Sequence, residues 1–226
     1  MLEIACFEID SAEIALNTVA DRIEFCANVN VGGVTPNIDE FRYLREKYHK
    51  PIHVMIRPTG GPFYYSDEEF DLMQKDIIQF KKAGADGFVF GILEPDQLIN
   101  IEKNKILVDL ADGKPCVFHR AIDRTHNYFD SLETIIKLGF AETLTSGGRQ
   151  SAYAGIDNLA KAIQDYGSQI DILIGGGVRS TNISEIKEKT KGTRFHSSAI
   201  LPYETYPNKE EIKNLKKKKK KKSFSK

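Results

Sequence analysis

The chain has 226 residues, 41% of them hydrophobic and 28% charged, which is typical of a globular protein with a sizeable core. Only three cysteines, no apolar run near the roughly 18 residues of a membrane span and no signal-peptide pattern together predict a cytoplasmic protein that does not enter a membrane. Residues 1–215 hold 24 basic against 32 acidic side chains, because eight lysines lie within residues 216–226, and this acidic body argues against nucleic-acid binding.

Strand-like and helix-like segments alternate along the chain. In residues 52–57, for example, aliphatic side chains alternate with polar ones, which is the two-residue period of a strand. Strands are predicted at 2–7, 22–27, 52–57, 87–93, 115–122, 143–146, 171–178 and 194–200. Helices are predicted after them at 11–18, 37–48, 66–84, 99–111, 128–138, 152–166, 182–189 and 208–217, with Ser66 as the cap of the third.

Eight strand–helix pairs in strict alternation predict parallel pairing and a single-domain (β/α)8 TIM barrel. An open doubly wound sheet is the alternative, but the turn after the first strand, residues 8–11, carries no nucleotide-binding glycine fingerprint. We expect a barrel body at 1–207, a final helix at 208–217 and a disordered lysine-rich tail at 218–226.

Alternate strand residues face a barrel's interior, so parity selects the inward side chains. The inward polar candidates are Glu3, Glu24, His53, Arg57, His196 and at least one of His119 and Arg120. Barrel interiors are mostly branched aliphatics, so this set forms either a buried ion-pair network or a ligand site, and we favour the ligand site. In an enzyme, Glu24 and either His53 or His119 would act as general acid and base.

Arginines and glycine-rich turns predict where an anion could bind. TSGG at 145–148 follows strand six, and GGGV at 175–178 ends strand seven. Bare amides near a helix N-terminus can hold phosphate, while tight turns that need glycine are the alternative. The predicted substrate-binding residues are Arg57, Arg120, Thr145, Ser146, Gly147, Gly176, Gly177, Arg179 and His196, with Arg57 as the best single candidate for holding an anion.

Soft-metal ligands offer a different chemistry. Cys6, Cys26 and Met55 suit Cu(I), although cysteine and methionine are also common in cores. Lys50 and Lys114 precede their strands, so a Schiff-base mechanism lacks its amine. The sequence also has no closely spaced histidine pair or carboxylate cluster typical of a hydrolytic zinc site.

The ordered motifs resemble those of the CutC copper-homeostasis family. They are LEIACF, ADRIEFCAN with VGGVTP, HVMIRPTGG with YSDEEF, GADGFVFGIL, FHRAID, LTSGG, IGGGV and RFHSSA, spread over residues 2–200. The resemblance implies a cytoplasmic TIM barrel associated with copper tolerance and Cu(I) binding, with Cys6 and Cys26 as the ligands. The chain departs from the family at 17–19, where a glycine pair is usual, and in the loop after strand three. There Thr59 replaces an arginine and Pro62 an aspartate.

Two hypotheses of different class follow. The first is a copper-binding or trafficking protein that uses Cys6 and Cys26. The second is a TIM-barrel enzyme of unknown reaction that acts on a small anionic or sugar-like substrate through Glu/His acid–base chemistry. Whether the chain is an enzyme stays open, its ligand is a small molecule or a copper ion, and a homo-oligomer is compatible with both.

Overall fold

The structure is a computed structural model and describes residues 1–220. Its strands are β1 Leu2–Cys6, β2 Arg22–Phe25, β3 Ile52–Met55, β4 Gly87–Phe90, β5 Cys116–Phe118, β6 Glu142–Thr145, β7 Asp171–Ile174 and β8 Arg194–Ser197. Its helices are α1 Ile9–Leu16, α2 Ile38–Lys47, α3 Asp67–Lys82, α4 Ile101–Leu110, α5 Tyr128–Leu138, α6 Ile156–Tyr166, α7 Ile183–Thr190 and α8 Lys209–Lys220.

The strands pair in parallel in chain order, and β8 pairs with β1 to close the sheet. This confirms the predicted (β/α)8 TIM barrel. The register places Ala5, Glu24, His53 and Gly87 at one level on four successive strands. Polar residues of matching parity therefore meet inside the barrel.

Two apolar clusters occupy the two faces of the barrel wall. The larger cluster lies between strands and helices and includes the fully buried rings of Phe25, Phe88, Phe118 and Phe195. The smaller one fills part of the barrel interior and consists of Cys26, Met55, Val89, Val117, Leu144 and Leu173. Neighbouring residues such as Phe25 and Cys26 belong to different clusters, as strand alternation requires.

The helix that follows β3 begins as its sequence predicts. Ser66 Oγ accepts a hydrogen bond from Glu69 N at 3.2 Å, and the Glu69 carboxylate accepts one from Ser66 N at 2.9 Å. This capping box satisfies two amides that the first turn would otherwise leave unpaired. Within residues 1–220, none of the helices combines the length and apolarity needed to cross a bilayer.

The segment predicted as strand five, 115–122, is mostly not a strand. β5 ends at Phe118, and the chain then turns into a short 3-10 helix, Arg120–Arg124. His119 accepts a hydrogen bond from Ala121 N through Nδ1, which stabilises this turn. Both His119 and Arg120 consequently lie at the carboxyl end of the barrel, which removes the ambiguity in their parity.

The C-terminal helix is longer than predicted. The sequence places its end at 217 and disorder from 218, whereas α8 continues to Lys220. Lys216 pairs with Asp21, Lys218 Nζ donates to the Ser180 carbonyl at 2.8 Å, and these contacts hold the last turns against the barrel. The rest of the predicted tail, 221–226, lies outside the described residues.

Candidate functional site

A cavity of about 1070 Å³ opens at the carboxyl ends of the strands. Its walls come mainly from the loops after β2, β3, β4, β5 and β6. This is the end at which barrels carry their sites, and the volume is that of a small-molecule pocket. Five of the predicted site residues line it, namely Glu24, Arg57, His119, Arg120 and His196.

Glu24 and His196 form a buried pair in this cavity. His196 Nε2 lies 3.0 Å from Glu24 Oε2, and Glu24 is 3% exposed. The other carboxylate oxygen, Oε1, has no hydrogen-bond partner among residues 1–220. Burial by itself lowers the pKa of His196, but the carboxylates of Glu24 and Glu3 outweigh it and raise that pKa above its ordinary value. The pair can therefore hold a proton beside an oxygen that remains free to accept one.

His119 lies in the same cavity as a neutral hydrogen-bond donor. Burial, together with the nearby Arg57, lowers its pKa to about 3. Because Nδ1 accepts from Ala121 N at 3.3 Å, the ring proton resides on Nε2. Nε2 is buried and has no partner in the described part of the chain. Of the acid and base roles predicted for His119, only donation from Nε2 is compatible with this hydrogen bonding.

Arg57 contacts backbone carbonyls at the cavity rim. Its Nη1 donates to the carbonyls of Val31 and Gly33 at 2.8 and 2.9 Å, and its Nη2 to that of Gly61 at 2.9 Å. The guanidinium also lies 4.8 Å from the centre of the Phe63 ring. These contacts join the loops after β2 and β3, so most of the donors that were predicted to hold an anion are already used.

Asp123, which the sequence interpretation missed, organises the opposite rim. Its buried carboxylate accepts from Arg120 Nε at 2.9 Å, from Thr145 Oγ1 at 2.7 Å and from Gly148 N at 2.9 Å. Ser146 also donates to it, through Oγ at 2.9 Å. The carboxylate therefore joins the 3-10 helix after β5 to the turn after β6. The three-residue spacing of Arg120 and Asp123 was the available signal.

Of the residues in the two glycine-rich turns, only Gly148 lines the cavity. Thr145 and Ser146 are directed to Asp123, and Gly147 N donates to Thr145 Oγ1 at 2.9 Å. Gly147, Gly176 and Gly177 have φ values of 73°, 91° and 78°, which favour glycine. The tight-turn alternative accounts for these residues without a bound phosphate.

Arg179 also lies away from the main cavity. Its guanidinium donates to Ser197 Oγ at 3.1 Å, to Ser198 Oγ at 3.3 Å and to the Ile200 carbonyl at 3.1 Å. Together with Glu211 it borders a separate cavity of about 530 Å³. The structure thus places it with the ends of β7 and β8 rather than with Glu24.

A buried ion network occupies the barrel interior. Arg22 pairs with Glu3 and, at 2.5 Å, with Glu142, and its Nη1 lies 3.5 Å from His53 Nε2. Burial raises the pKa of Glu3 to about 7 despite Arg22, and burial together with Arg22 lowers the pKa of His53 well below its usual range. His53 is not among the residues that line the cavity. The contacts at this level of the barrel are those of the ion-pair network alternative.

The two candidate copper ligands lie on opposite faces of the barrel wall. Cys26 N donates to the Cys6 carbonyl at 2.8 Å, so their backbones are adjacent. The Cys6 side chain, however, belongs to the helix-facing cluster, whereas Cys26 and Met55 belong to the interior one. Burial, with a further effect of Glu24, raises the pKa of both thiols well above the usual value. The placement of this pair does not fit a shared Cu(I) site, and a metal would have to displace both thiol protons to bind.

Within residues 1–220, no three histidine, cysteine, aspartate or glutamate side chains lie close enough together to hold a metal ion.

Comparison with known sequences gives a consistent family. The sequence model of the CutC family matches residues 1–201. A human protein named copper homeostasis protein cutC homolog is 38% identical over 199 residues, which cover 88% of this chain and 73% of the human protein. A CutC family protein of Xylella fastidiosa strain 9a5c is 35% identical over 198 residues, covering 88% and 74% of the two chains.

Comparison with solved structures agrees. The crystal structure of a CutC protein from Streptococcus agalactiae superposes with a TM-score of 0.82 at 29% identity, covering 88% of this chain and 98% of that one. An N-(5'-phosphoribosyl)anthranilate isomerase from Pyrococcus furiosus superposes with a TM-score of 0.63 at 13% identity, covering 97% and 98%. The second similarity concerns the barrel fold alone.

Proposed function

This chain belongs to the CutC family, and from that premise we propose that it binds a small polar molecule in the cavity at the barrel mouth and acts on it by acid–base chemistry. One observation carries the proposal: Glu24 Oε1 and His119 Nε2 are both buried, and neither has a hydrogen-bond partner within residues 1–220. Both residues line the same cavity. Leaving such atoms unpaired costs about 1–3 kcal/mol each, and a ligand that pairs with both would offset that cost.

The two groups have complementary roles in this proposal. Glu24 accepts or returns a proton through Oε1, and His196 stabilises the carboxylate through the hydrogen bond to Oε2. His119 donates from Nε2 to an oxygen on which negative charge develops, as a neutral imidazole can. His53 has no part in the reaction, because Arg22 and the interior network surround it.

The test starts with the full chain and a panel of hydroxy acids, sugars and their phosphates, with binding detected by saturation-transfer NMR and products by mass spectrometry. For a substrate so found, Glu24→Gln should lower turnover by roughly 10²- to 10⁴-fold. Glu46→Gln, which makes the same change on the exposed side of α2, should leave turnover unchanged. Normal turnover by Glu24→Gln excludes the acid–base role. His119→Gln alters the cavity and should weaken the binding of any compound that occupies it. If it weakens the binding of no compound in the panel, the small-molecule proposal fails.

A second candidate function is Cu(I) binding through Cys6 and Cys26. Its support is that the matched human relative is named as a copper homeostasis protein, and that the backbones of the two cysteines adjoin on neighbouring strands. Met55, in the same interior cluster as Cys26, could add a thioether ligand. Binding would require the Cys6 side chain to turn through the barrel wall and both thiols to lose protons. We place this function second for that reason.

Anaerobic titration of the full chain with Cu(I) against a competing chelator tests this candidate. Both Cys6→Ser and Cys26→Ser should then weaken Cu(I) binding, while Cys116→Ser, a buried cysteine on β5, should not. Equal affinities in all four proteins would exclude the cysteine pair as ligands. We also propose a cytoplasmic location, since all three cysteines are unpaired, as is usual in a reducing compartment.

A further inference from the structure

We infer that the molecule taken by this cavity carries a carboxylate or phosphate group, that Arg120 binds this group, and that Asp123 positions Arg120 for it. The inference rests on the proposed function, since it specifies the chemistry of the ligand at the same site. It adds a positioning residue, Asp123, which ends the FHRAID motif but was not among the predicted site residues.

The Arg120 guanidinium is held in one orientation by its neighbours. Nε donates to Asp123 at 2.9 Å, and Nη2 donates to Ser146 Oγ at 2.8 Å. Nη2 also lies 3.5 and 3.4 Å from the carbonyls of Arg149 and Gln150. Nη1 has no such partner in the part of the chain that the structure describes. An arginine fixed in this way offers its remaining nitrogen to a ligand without first losing conformational freedom.

A glycine leaves the space in which Arg120 lies. A Cβ added at Gly176 would stand 3.2 Å from Arg120 Cζ and 3.4 Å from Nη1. The guanidinium therefore packs directly against the backbone of the turn after β7. The Arg120 side chain makes this contact although it is 40% exposed.

Asp123 is far less exposed to solvent than the Arg120 side chain that it binds. The Asp123 side chain is only 4% exposed, so its charge is directed at Arg120 and the turn amides rather than at solvent. The resulting arrangement is an interior carboxylate that supports a guanidinium at the rim. Such charge-assisted bonds are stronger than neutral ones and fix the geometry of the arginine.

The charges around Arg120 favour an anion at this side of the cavity. Arg124 and Arg149 line the same cavity and are exposed, so the lining residues after β5 and β6 comprise three guanidinium groups and the carboxylate of Asp123, while the carboxylates of Glu24 and Glu94 lie elsewhere in the lining. Arg57, the earlier candidate, already donates to three backbone carbonyls. The cavity consequently has a cationic rim after β5 and β6, separate from the acid–base pair of Glu24 and His196.

Inorganic phosphate, titrated into the full chain, is the probe that tests this inference. Isothermal titration calorimetry gives the dissociation constant of each protein, and side-chain arginine ¹⁵N NMR follows the Arg120 Nε–H signal wherever Arg120 is present. Arg120→Gln should weaken phosphate binding at least 10-fold. Arg42→Gln, which removes an exposed arginine paired with Asp39 outside the cavity, should leave the constant unchanged.

Asp123→Asn separates positioning from folding. The asparagine amide keeps an oxygen that accepts from Thr145 Oγ1 and Gly148 N, so the turn after β6 keeps those hydrogen bonds. Its NH2 group faces Arg120 Nε, so the hydrogen bond that positions Arg120 is lost. We expect phosphate binding to weaken about 3- to 10-fold, and the Arg120 Nε–H signal to shift and broaden. A purely structural role for Asp123 predicts lower stability with an unchanged dissociation constant and overturns the positioning role.

The outcomes also distinguish this inference from the proposed function. If phosphate does not bind, or binds equally well to Arg120→Gln, the anion site is wrong even where Glu24-dependent turnover is found. If phosphate binding depends on Arg120 while Glu24→Gln turns over substrate normally, the anion site stands and the acid–base proposal fails. Glu24→Gln itself should not weaken phosphate binding.

Discussion

Glu24 and His196 lie 172 residues apart in the chain and meet at 3.0 Å between Oε2 and Nε2. They come from β2 and β8, the two strands that flank β1. The register sets Glu24 beside Ala5 and His196 beside Glu3. Because Ala5 carries only a methyl group, the two longer side chains reach each other across β1. The acid–base pair therefore depends on barrel closure.

The pKa of His196 should fall when its carboxylate partner is neutralised. In Glu24→Gln the lowering effect of burial loses its main opposing charge, so the imidazole should titrate at lower pH than in the wild-type chain. NMR titration of the His196 ring protons measures this. Glu46→Gln should reproduce the wild-type curve, and a Glu24→Gln curve identical to it would contradict the electrostatic origin of the shift.

Glu3 should make the folded chain less stable as the pH rises from 4.5 to 7. Its pKa is raised from 4.5 to about 7 by burial, so over this window the folded chain keeps a proton that the unfolded chain has lost. The free energy of unfolding therefore falls with pH, by on the order of 3 kcal/mol at most. Urea unfolding at a series of pH values should give a flatter profile for Glu3→Gln, which cannot titrate. Parallel profiles for the two proteins would show that Glu3 does not cause the fall.

A methyl group at Gly91 should displace His119. An added Cβ would lie 2.9 Å from His119 Nδ1 and 3.0 Å from Cε1, closer than packed atoms approach. Gly91→Ala should break the bond to Ala121 N, shift the His119 ring resonances and lower stability by about 1–3 kcal/mol. Gly113→Ala is the control, since nothing lies within 4 Å of its added Cβ. The control changes only the local backbone, where φ is 80°, so it should leave the His119 resonances in place.

Glu211 should anchor α8 far more strongly than its neighbour Glu210. The buried Glu211 carboxylate accepts from Ser180 N and Oγ, both at 2.6 Å, whereas Glu210 pairs with Lys213 in solvent. Glu211→Gln replaces two charge-assisted bonds with neutral ones and reverses the direction of the bond to Ser180 Oγ, and we expect a loss of about 1–3 kcal/mol in the free energy of unfolding. Glu210→Gln should stay within about 0.5 kcal/mol. Equal losses, measured by urea denaturation, would contradict this anchoring role.

The fold could be predicted because each strand and each helix is recognisable from the pattern of a short stretch of sequence. The two-residue period also placed Glu24 and His196 inside the barrel, and both line the cavity. The same parity applied to β2 would have placed Arg22 inside as well. Its role in the ion network depends on Glu3 and Glu142, which lie on other strands, so parity along β2 alone does not reveal it.

The roles of the arginines could not be obtained from the sequence. Arg57 and Arg120 look alike in the motifs, and what separates them is whether backbone carbonyls or a side chain surround the guanidinium. Two of the three carbonyls around Arg57, those of Val31 and Gly33, belong to the loop after β2 and lie 26 and 24 residues away in the chain. Cys6 and Cys26 pose the same difficulty, since side-chain direction at a strand end decides whether neighbouring thiols can meet.

Closure of the sheet between β1 and β8 affects how the chain can be made. The hydrogen bonds that seal the barrel run from Phe195 N to the Met1 carbonyl and along the register of Leu2 with Phe195. During synthesis, β1 has an unpaired edge until residues 194–197 have left the ribosome. Such distant pairing is slow to form, and an open edge can pair with other chains. A nascent chain stalled after β7 should therefore be a preferred client of chaperones that shield exposed strands.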